Sequence, residues 1–552
     1  MRALFQAIIV TVCFLLCANA TGSPSVTLVD GTTLIGTRGE GVDSFKGVRY
    51  AQPPVGSLRW KPPQLYVNVN NSDKVDATKF GAHCLQDTWP NGSEDCLFLN
   101  VYMGDSVDVG AHNLPVVIFF HGGSYVLGAS KFYSGADLVS YLSGRVIVVT
   151  ADYRLNVFGF LGSEELRSQD PEAGTTGNYG IQDQRLAMQW VQQNIGAFGG
   201  DAGRVTIMGE SAGAGSVSNH LTMPRSWPYF GAAILESGAF SHWVCQPMTR
   251  AQSVFEQLLE VTTCADTSCL LQLSADELFA AARTVHMHDG NFYLEPFLPV
   301  ADGVEAETHP WLALTNGVVA DVPVLLGSNS DEGIAMFTTD TVSKHTNMSE
   351  LLQFWRDDRG YSSAQEAELL QLYLVGKRDV YPRSHIPFVT TPEWWAAQRS
   401  TGDVMFSCPV KYVSQQLAVL QESGRRASGA YTYHFARHSF GSVYSIHSSE
   451  MQYVFHWRIG QQDDALLADT MASYWGNFVL SPDHDPNGDN AEARGETLLP
   501  VWGQYDTSRD NVLLFPNDES VVAEETSGLK FDECSFFVPY LSTTIAKDFA
   551  PS

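Results

Sequence analysis

Short β-branched runs without polar alternation recur through the middle of the chain. Leu114–Phe120 (LPVVIFF) and Val146–Thr150 (VIVVT) predict strands buried on both faces, since a strand with one wet face would alternate. Gln182–Phe198 has another period. Leu186 and Trp190, Ala187 and Val191, and Val191 and Ile195 fall four apart and form one apolar helical stripe, which Gly199-Gly200-Asp201 ends. Arg204–Met208 (RVTIM) again predicts a strand and Ser211–Leu221 the helix after it. Further strands are expected at Ala232–Leu235, Val322–Leu326 and Ala430–Phe435, with helical insertions over roughly 250–290 and 350–425. Strands alternating with helices predict the α/β class, with a large, mainly parallel sheet covered on both faces.

Composition narrows this to one large unit. The 552 residues are 44% hydrophobic and 17% charged, without repeats, low-complexity tracts or a Pro/Gly/Ser linker. Residues 1–20 have the layout of a secretory signal peptide: Arg2, an apolar run from Ala3 to Cys17, and a small-x-small site at Ala18-Asn19-Ala20. Residues 21–552 are then expected to form a single secreted domain. The apolar run is shorter than the roughly 20 residues that span a bilayer, and Ala550-Pro551-Ser552 is neither a retention signal nor a lipid-anchor tail, so no stable membrane anchor is expected.

Seven cysteines follow the leader, without the spacing of a zinc site. An odd number in an oxidising compartment predicts at most three bridges and one leftover thiol. Proximity in sequence pairs Cys84 with Cys96 and Cys264 with Cys269, leaving Cys245, Cys408 and Cys534 to sort. Asn70, Asn91 and Asn347 open Asn-x-Ser acceptors for glycosylation. A net charge of −28 disfavours nucleic acid and anionic membranes as partners. Oligomeric state is not legible.

The clearest chemical signal is Gly209-Glu210-Ser211-Ala212-Gly213, between a predicted strand and a predicted helix. Such a turn holds a serine in a strained, exposed conformation, and glycine tolerates the close backbone approach on either side. A serine hydroxyl needs a base to take its proton, and the attacked carbonyl needs donors as it becomes anionic. His121-Gly122-Gly123-Ser124 follows strand Leu114–Phe120, where a donor loop belongs; its amides are expected to act, with the N–H of Ala212, while the His121 ring is structural. Downstream, a strand ends in Ser330-Asp331-Glu332-Gly333, and His438 and His447 follow another. Pattern alone does not separate Asp331 from Glu332, or His438 from His447.

The chain closely resembles the type-B carboxylesterase and lipase family, α/β-hydrolases that include the cholinesterases. The likeness runs from Phe45–Trp60 through Ser93-Glu94-Asp95-Cys96-Leu97-Phe98-Leu99-Asn100-Val101-Tyr102 to Phe198-Gly199-Gly200-Asp201 and Gly209–Ala214. It implies Glu332 as the acid, His447 as the base, and the amides of Gly123, Ser124 and Ala212 as the oxyanion hole. It further implies a Cys408–Cys534 bridge, a free Cys245, a buried Arg59–Glu94 ion pair, and acyl-enzyme ester hydrolysis without metal or organic cofactor. The expected substrate is a small-molecule or lipid ester. Lipase or cholinesterase-like specificity, and a non-catalytic adhesion homologue, are the alternatives. Candidate pocket residues are Trp89, Glu210, Trp243, Tyr293, Glu295, Phe297 and Met336. Ala335 and Met336 stand where cholinesterases carry aromatic rings, which argues against choline specificity, and Glu295 falls in the acyl-pocket segment, where a carboxylate turned inward is unfavourable to a plain acetyl group.

Overall fold

Strand Leu114–Phe120 forms over the predicted span, and its alternate residues divide between two cores. Val116, Ile118 and Phe120 join one apolar cluster, whereas Val117 and Phe119 join the other. This explains its unbroken apolar run. A computed structural model describes residues 22–68, 74–107, 110, 113–287, 293, 295–336, 346–377, 381, 384–385, 388–389, 391–438, 444–457, 464–488, 499–518 and 521–550. The expected leader at 1–20 and the Asn70 acceptor lie outside them, as do the side chains of Ala335 and Met336.

The central sheet contains β1 (Thr37–Gly39), β2 (Val42–Arg49), β3 (Phe98–Gly104), β4 (Leu114–Phe120), β5 (Ile147–Ala151), β6 (Gly200–Glu210), β7 (Ala232–Glu236), β8 (Val324–Asn329), β9 (Ala430–Phe435), β10 (Asn511–Phe515) and β11 (Glu524–Ser527). Their spatial order is β1-β2-β3-β5-β4-β6-β7-β8-β9-β10-β11. From β5 to β10 all neighbours are parallel; the pairings outside this block are antiparallel. The order reverses around β4, with β5 on one side and β6 on the other. The carboxyl end of such a switch point is where open α/β sheets bind ligands.

Helices cover both faces. α1 (Tyr179–Asn194) and α2 (Ala212–Thr222) supply Ile181, Leu186, Ala187, Val217 and Leu221 to the first core. The insertions contain α3 (Met248–Thr262), α4 (Pro392–Gly402) and α5 (Cys408–Glu422). α6 (Ala465–Leu480) brings Leu467, Met471 and Trp475 to the second core, and α7 (Phe531–Asp548) is fastened to α5 by Cys408–Cys534. Cys84–Cys96 and Cys264–Cys269 are the other bridges, while Cys245 is free and buried. Arg59 meets Glu94 through two bonds of 2.7 Å.

Several boundaries depart from the sequence reading. The expected helix from Gln182 starts at Tyr179 instead, and its last four residues, Ile195–Phe198, tighten into a 3-10 turn closed by Gly199 at φ +83°. The strand expected from Arg204 already starts at Gly200: Leu114 faces Gly200 but Val116 faces Val205, so Asp201–Arg204 bulge out of the ladder and break the apolar pattern. The strand expected from Val322 starts after Pro323, which has no N–H to give to the ladder.

Candidate active site

The carboxyl ends of adjacent parallel strands deliver the chemistry-bearing side chains. Ser211 follows β6 and is the residue before α2, with φ 56° and ψ −122°. For a residue with a Cβ this is a sparsely populated conformation, costing about 1–3 kcal/mol, that persists only when its surroundings impose it. Here they do: the Ser211 N–H donates to Glu236 O at the end of β7 (2.9 Å). The flanking glycines permit the turn. A Cβ on Gly209 would fall 2.3 Å from the Gly213 carbonyl carbon, and one on Gly213 would fall 1.9 Å from Phe120 O.

The loop after β4 packs against this turn. A Cβ on Gly122 would lie 2.9 Å from Ser211 Cβ and 2.6 Å from Glu210 Oε2, so the loop, the serine and the Glu210 carboxylate share one small volume. Gly123, Ser124 and Tyr125 all have positive φ (112°, 53° and 63°). The loop is held by Val126 N–H and Leu127 N–H on Gly123 O, by Asn156 N–H on Tyr125 O, and by a two-way bond between Gly128 and the Gln86 amide. The N–H groups of Gly123, Ser124 and Ala212 find no acceptor among the described residues. His121 is buried; burial pulls its imidazole down to about 4, leaving it neutral, with Nδ1 against Gly122 O.

Glu332 and His447 meet. Glu332 follows β8 and is fully buried. Its Oε1 accepts from Asn329 N–H (2.7 Å) and Ser237 Oγ (2.5 Å), and its Oε2 stands 2.6 Å from His447 Nδ1. Asp331 is engaged elsewhere, with Arg399 Nε at 3.2 Å and Ser445 N–H at 3.2 Å. His438 donates its backbone N–H to Asn517, and among the described residues no hydrogen bond joins its ring to Glu332. His447 Nε2 faces Glu210 Oε1 at 3.2 Å and makes no hydrogen bond among the described residues. Burial disfavours the His447 imidazolium. The carboxylates of Glu210, Glu332 and Glu450, with the Glu332 hydrogen bond, outweigh it and hold the ring up at about 9. Glu210 is itself raised by burial, against the pull of His447 and of Ser448 Oγ, which donates to it at 2.5 Å.

The candidate pocket residues scatter. Tyr293, Glu295 and Phe297 line a cavity of about 610 Å³ that abuts the donor loop through Val126 and Leu127. Burial raises the Glu295 carboxyl to about 7, opposed by Arg250, whose guanidinium lies over Tyr293. Trp243 is fully buried between Tyr125 and Phe406. Trp89 does not line this cavity; it packs on Phe132, ring centroids 4.3 Å apart. Met336 closes the short helix Gly333–Met336.

Four contributors were missed from sequence. Ser237 and Asn329 donate to Glu332. Glu450 is buried and held up at about 8, by burial first and then by Glu332 and Glu210, and it takes a 2.5 Å bond from Asn329 Nδ2. Phe406 packs its ring 4.9 Å from the His447 ring, carried by a π-turn, Asp403–Ser407, that interrupts the helix between α4 and α5. Glu450 stood in plain view, three residues after His447. The π-turn has no local signal, because tertiary packing decides it.

Comparison with known proteins agrees with this fold. The model of the Carboxylesterase family matches residues 23–537. Acetylcholinesterase 1 of Caenorhabditis elegans is 30% identical over 94% of this chain and 88% of its own. Para-nitrobenzyl esterase of Bacillus subtilis (strain 168) is 34% identical over 63% of this chain and 69% of its own. Juvenile hormone esterase of Tribolium castaneum is 30% identical over 80% of each. A solved structure of PNB esterase superposes with a TM-score of 0.73 at 28% identity, covering 93% of this chain and all of that one. No helix among the described residues is long and apolar enough to cross a membrane. With an α/β-hydrolase sheet, a strained serine at its switch point and a family match over almost its whole length, this chain belongs to the carboxylesterase family and is a carboxylic ester hydrolase.

Proposed function

We propose that Ser211, His447 and Glu332 form the catalytic triad of a secreted, general carboxylesterase acting through an acyl-enzyme. What carries this reading is the Glu332–His447 contact of 2.6 Å beside a serine held at φ 56°. His447 Nε2 takes the Ser211 proton as Oγ forms a bond to the ester carbonyl carbon. The oxyanion is held by the N–H groups of Gly123, Ser124 and Ala212, which have no other acceptor among the described residues. The C–O bond to the alcohol then breaks, and the leaving alkoxide collects the proton from His447. A water molecule, deprotonated in the same way, attacks the acyl-enzyme; the acid departs and Ser211 regains its proton. Glu332 keeps the proton of His447 on Nδ1 and stabilises the imidazolium. The acyl chain is assigned to the 610 Å³ cavity that the donor loop borders through Val126 and Leu127, although Ser211, Glu332 and His447 are not among its lining residues. Secretion is supported by the leader-like residues 1–20, by three disulfides, and by exposed Asn91 and Asn347. Residues 21–552 then act as one domain.

Treating the purified protein with a fluorescent organophosphate and mapping the adduct by mass spectrometry tests the assignment. One adduct is expected, on the peptide containing Ser211. Labelling at another residue, or none, contradicts it.

The pH profile gives a second check. The base acts as neutral imidazole, and neighbouring carboxylates hold His447 above the 6.5 of a free imidazole. The ascending limb of kcat/KM should therefore lie on the alkaline side of 6.5. Glu210→Gln removes the largest charge that raises His447, so the limb should move to lower pH. A limb that stays in place in that variant argues against Glu210 as the tuning charge.

A further inference from the structure

The last turn of α7 reaches the wall of the cavity. Asp548, its final residue, lies with Oδ2 3.0 Å from His242 Nε2, and the same oxygen accepts the Tyr293 hydroxyl at 3.2 Å. The His242 and Tyr293 rings pack with centroids 4.5 Å apart, and His309 Nε2 contacts His242 O at 3.1 Å. Tyr293 is thus held by its hydroxyl, by the His242 ring and by the Arg250 guanidinium 4.5 Å from its centroid. The neighbour of His242, Trp243, packs on Phe406, which covers His447.

Local helix energetics do not explain an aspartate here. A negative charge in the last turn opposes the helix dipole, at a typical cost of about 0.3–1 kcal/mol, and favours neither the helix nor its cap. The two tertiary contacts account for it, and the one to Tyr293 reaches the lining of the cavity. We propose that Asp548 is a positioning residue: by gripping His242 and the Tyr293 hydroxyl, it fixes one wall of the cavity and sets the length of acyl chain the enzyme accepts. This rests on the reading of that cavity as the acyl site. With the grip removed, the Tyr293 ring turns away from the cavity and longer chains fit.

The test uses the full secreted chain and p-nitrophenyl esters from acetate to decanoate. Asp548→Ala should raise the decanoate-to-acetate ratio of kcat/KM by roughly 10-fold, a size that pocket shape readily supplies, while kcat on acetate is unchanged. Tyr293→Phe, which loses only the hydroxyl, should shift the ratio in the same direction. Asp548→Asn, which keeps an acceptor oxygen, should restore the parental ratio. A ratio within twofold of the parent in both Asp548→Ala and Tyr293→Phe, or an equal loss on every ester, overturns the proposal. If Asp548→Ala does not fold, Tyr293→Phe decides alone. A Ser211→Ala control separates the two layers: if it still hydrolyses the series, the reading of the site fails, whereas an unchanged ratio with Ser211-dependent hydrolysis overturns only the role of Asp548.

Discussion

Replacing Ser211 with alanine should lower kcat on p-nitrophenyl acetate by about 10⁶, and His447→Ala should cost about as much. The loss is large because the two groups act as a unit. Without the base, the serine hydroxyl stays protonated at neutral pH; without the serine, the imidazole has no nucleophile to activate and no acyl-enzyme forms. For the same reason the double variant should be scarcely worse than either single one, although independent effects would multiply. Ser211→Ala should fold as the parent does. It keeps the backbone N–H bond to Glu236 and removes one oxygen, and alanine meets the same backbone cost at φ 56° that serine does. The comparison needs purified protein, thermal midpoints for each variant, and turnover well above the uncatalysed rate. Retention of even a few per cent of parental kcat by Ser211→Ala would remove Ser211 from the nucleophile's role.

The second large effect is expected at Glu332→Gln, where kcat should fall by about 10⁴ with little change in KM. The number of donors around this carboxylate requires it. Glu332 receives Asn329 N–H and Ser237 Oγ on Oε1, and His447 Nδ1 on Oε2. A glutamine of the same shape has one oxygen and one NH₂. Its oxygen satisfies most donors when it takes the Oε1 place, where two donors converge, so the NH₂ is turned towards His447. An NH₂ cannot accept from Nδ1–H. The imidazole must then carry its proton on Nε2, the nitrogen that has to receive the serine proton, and the resting enzyme holds the wrong tautomer. Volume and packing hardly change, so the thermal midpoint should stay near that of the parent. A fall in kcat of less than tenfold would show that Glu332 does not set the tautomer.

How far such a site can be read from the chain depends on how local its causes are. Ser211 is legible because its turn is made by its own neighbours: an apolar strand, two glycines and a helix all lie within a dozen residues. The donor loop is legible for the same reason. Glu332 and His447 lie 115 residues apart, and pattern left each with a rival one or nine residues away. The family resemblance pointed to this pair. The fold shows why the rivals stand apart: Asp331 is bound to Arg399, and the backbone of His438 to Asn517. Ser237 and Phe406 had no comparable signal, and the place of Glu450 three residues after His447 did not by itself give it a role. Each matters only through side chains that other strands and a π-turn bring alongside it.

The sequence by itself determined the class of fold, the parallel strands with their two-faced burial, the strained serine turn, and two of the three disulfides. These rest on periodicity, glycine and short chain separation, and so on interactions a few residues long. Tertiary structure alone decided the bulge that brings Gly200 into the sheet, the cluster of buried carboxylates that holds His447 at about 9, the departure of Trp89 from the cavity, and the reach of Asp548 across 255 residues to Tyr293. Burial and the low dielectric that comes with it belong to no single segment. They arise when distant parts of the chain exclude water together, and the charges of the site acquire their chemistry only there.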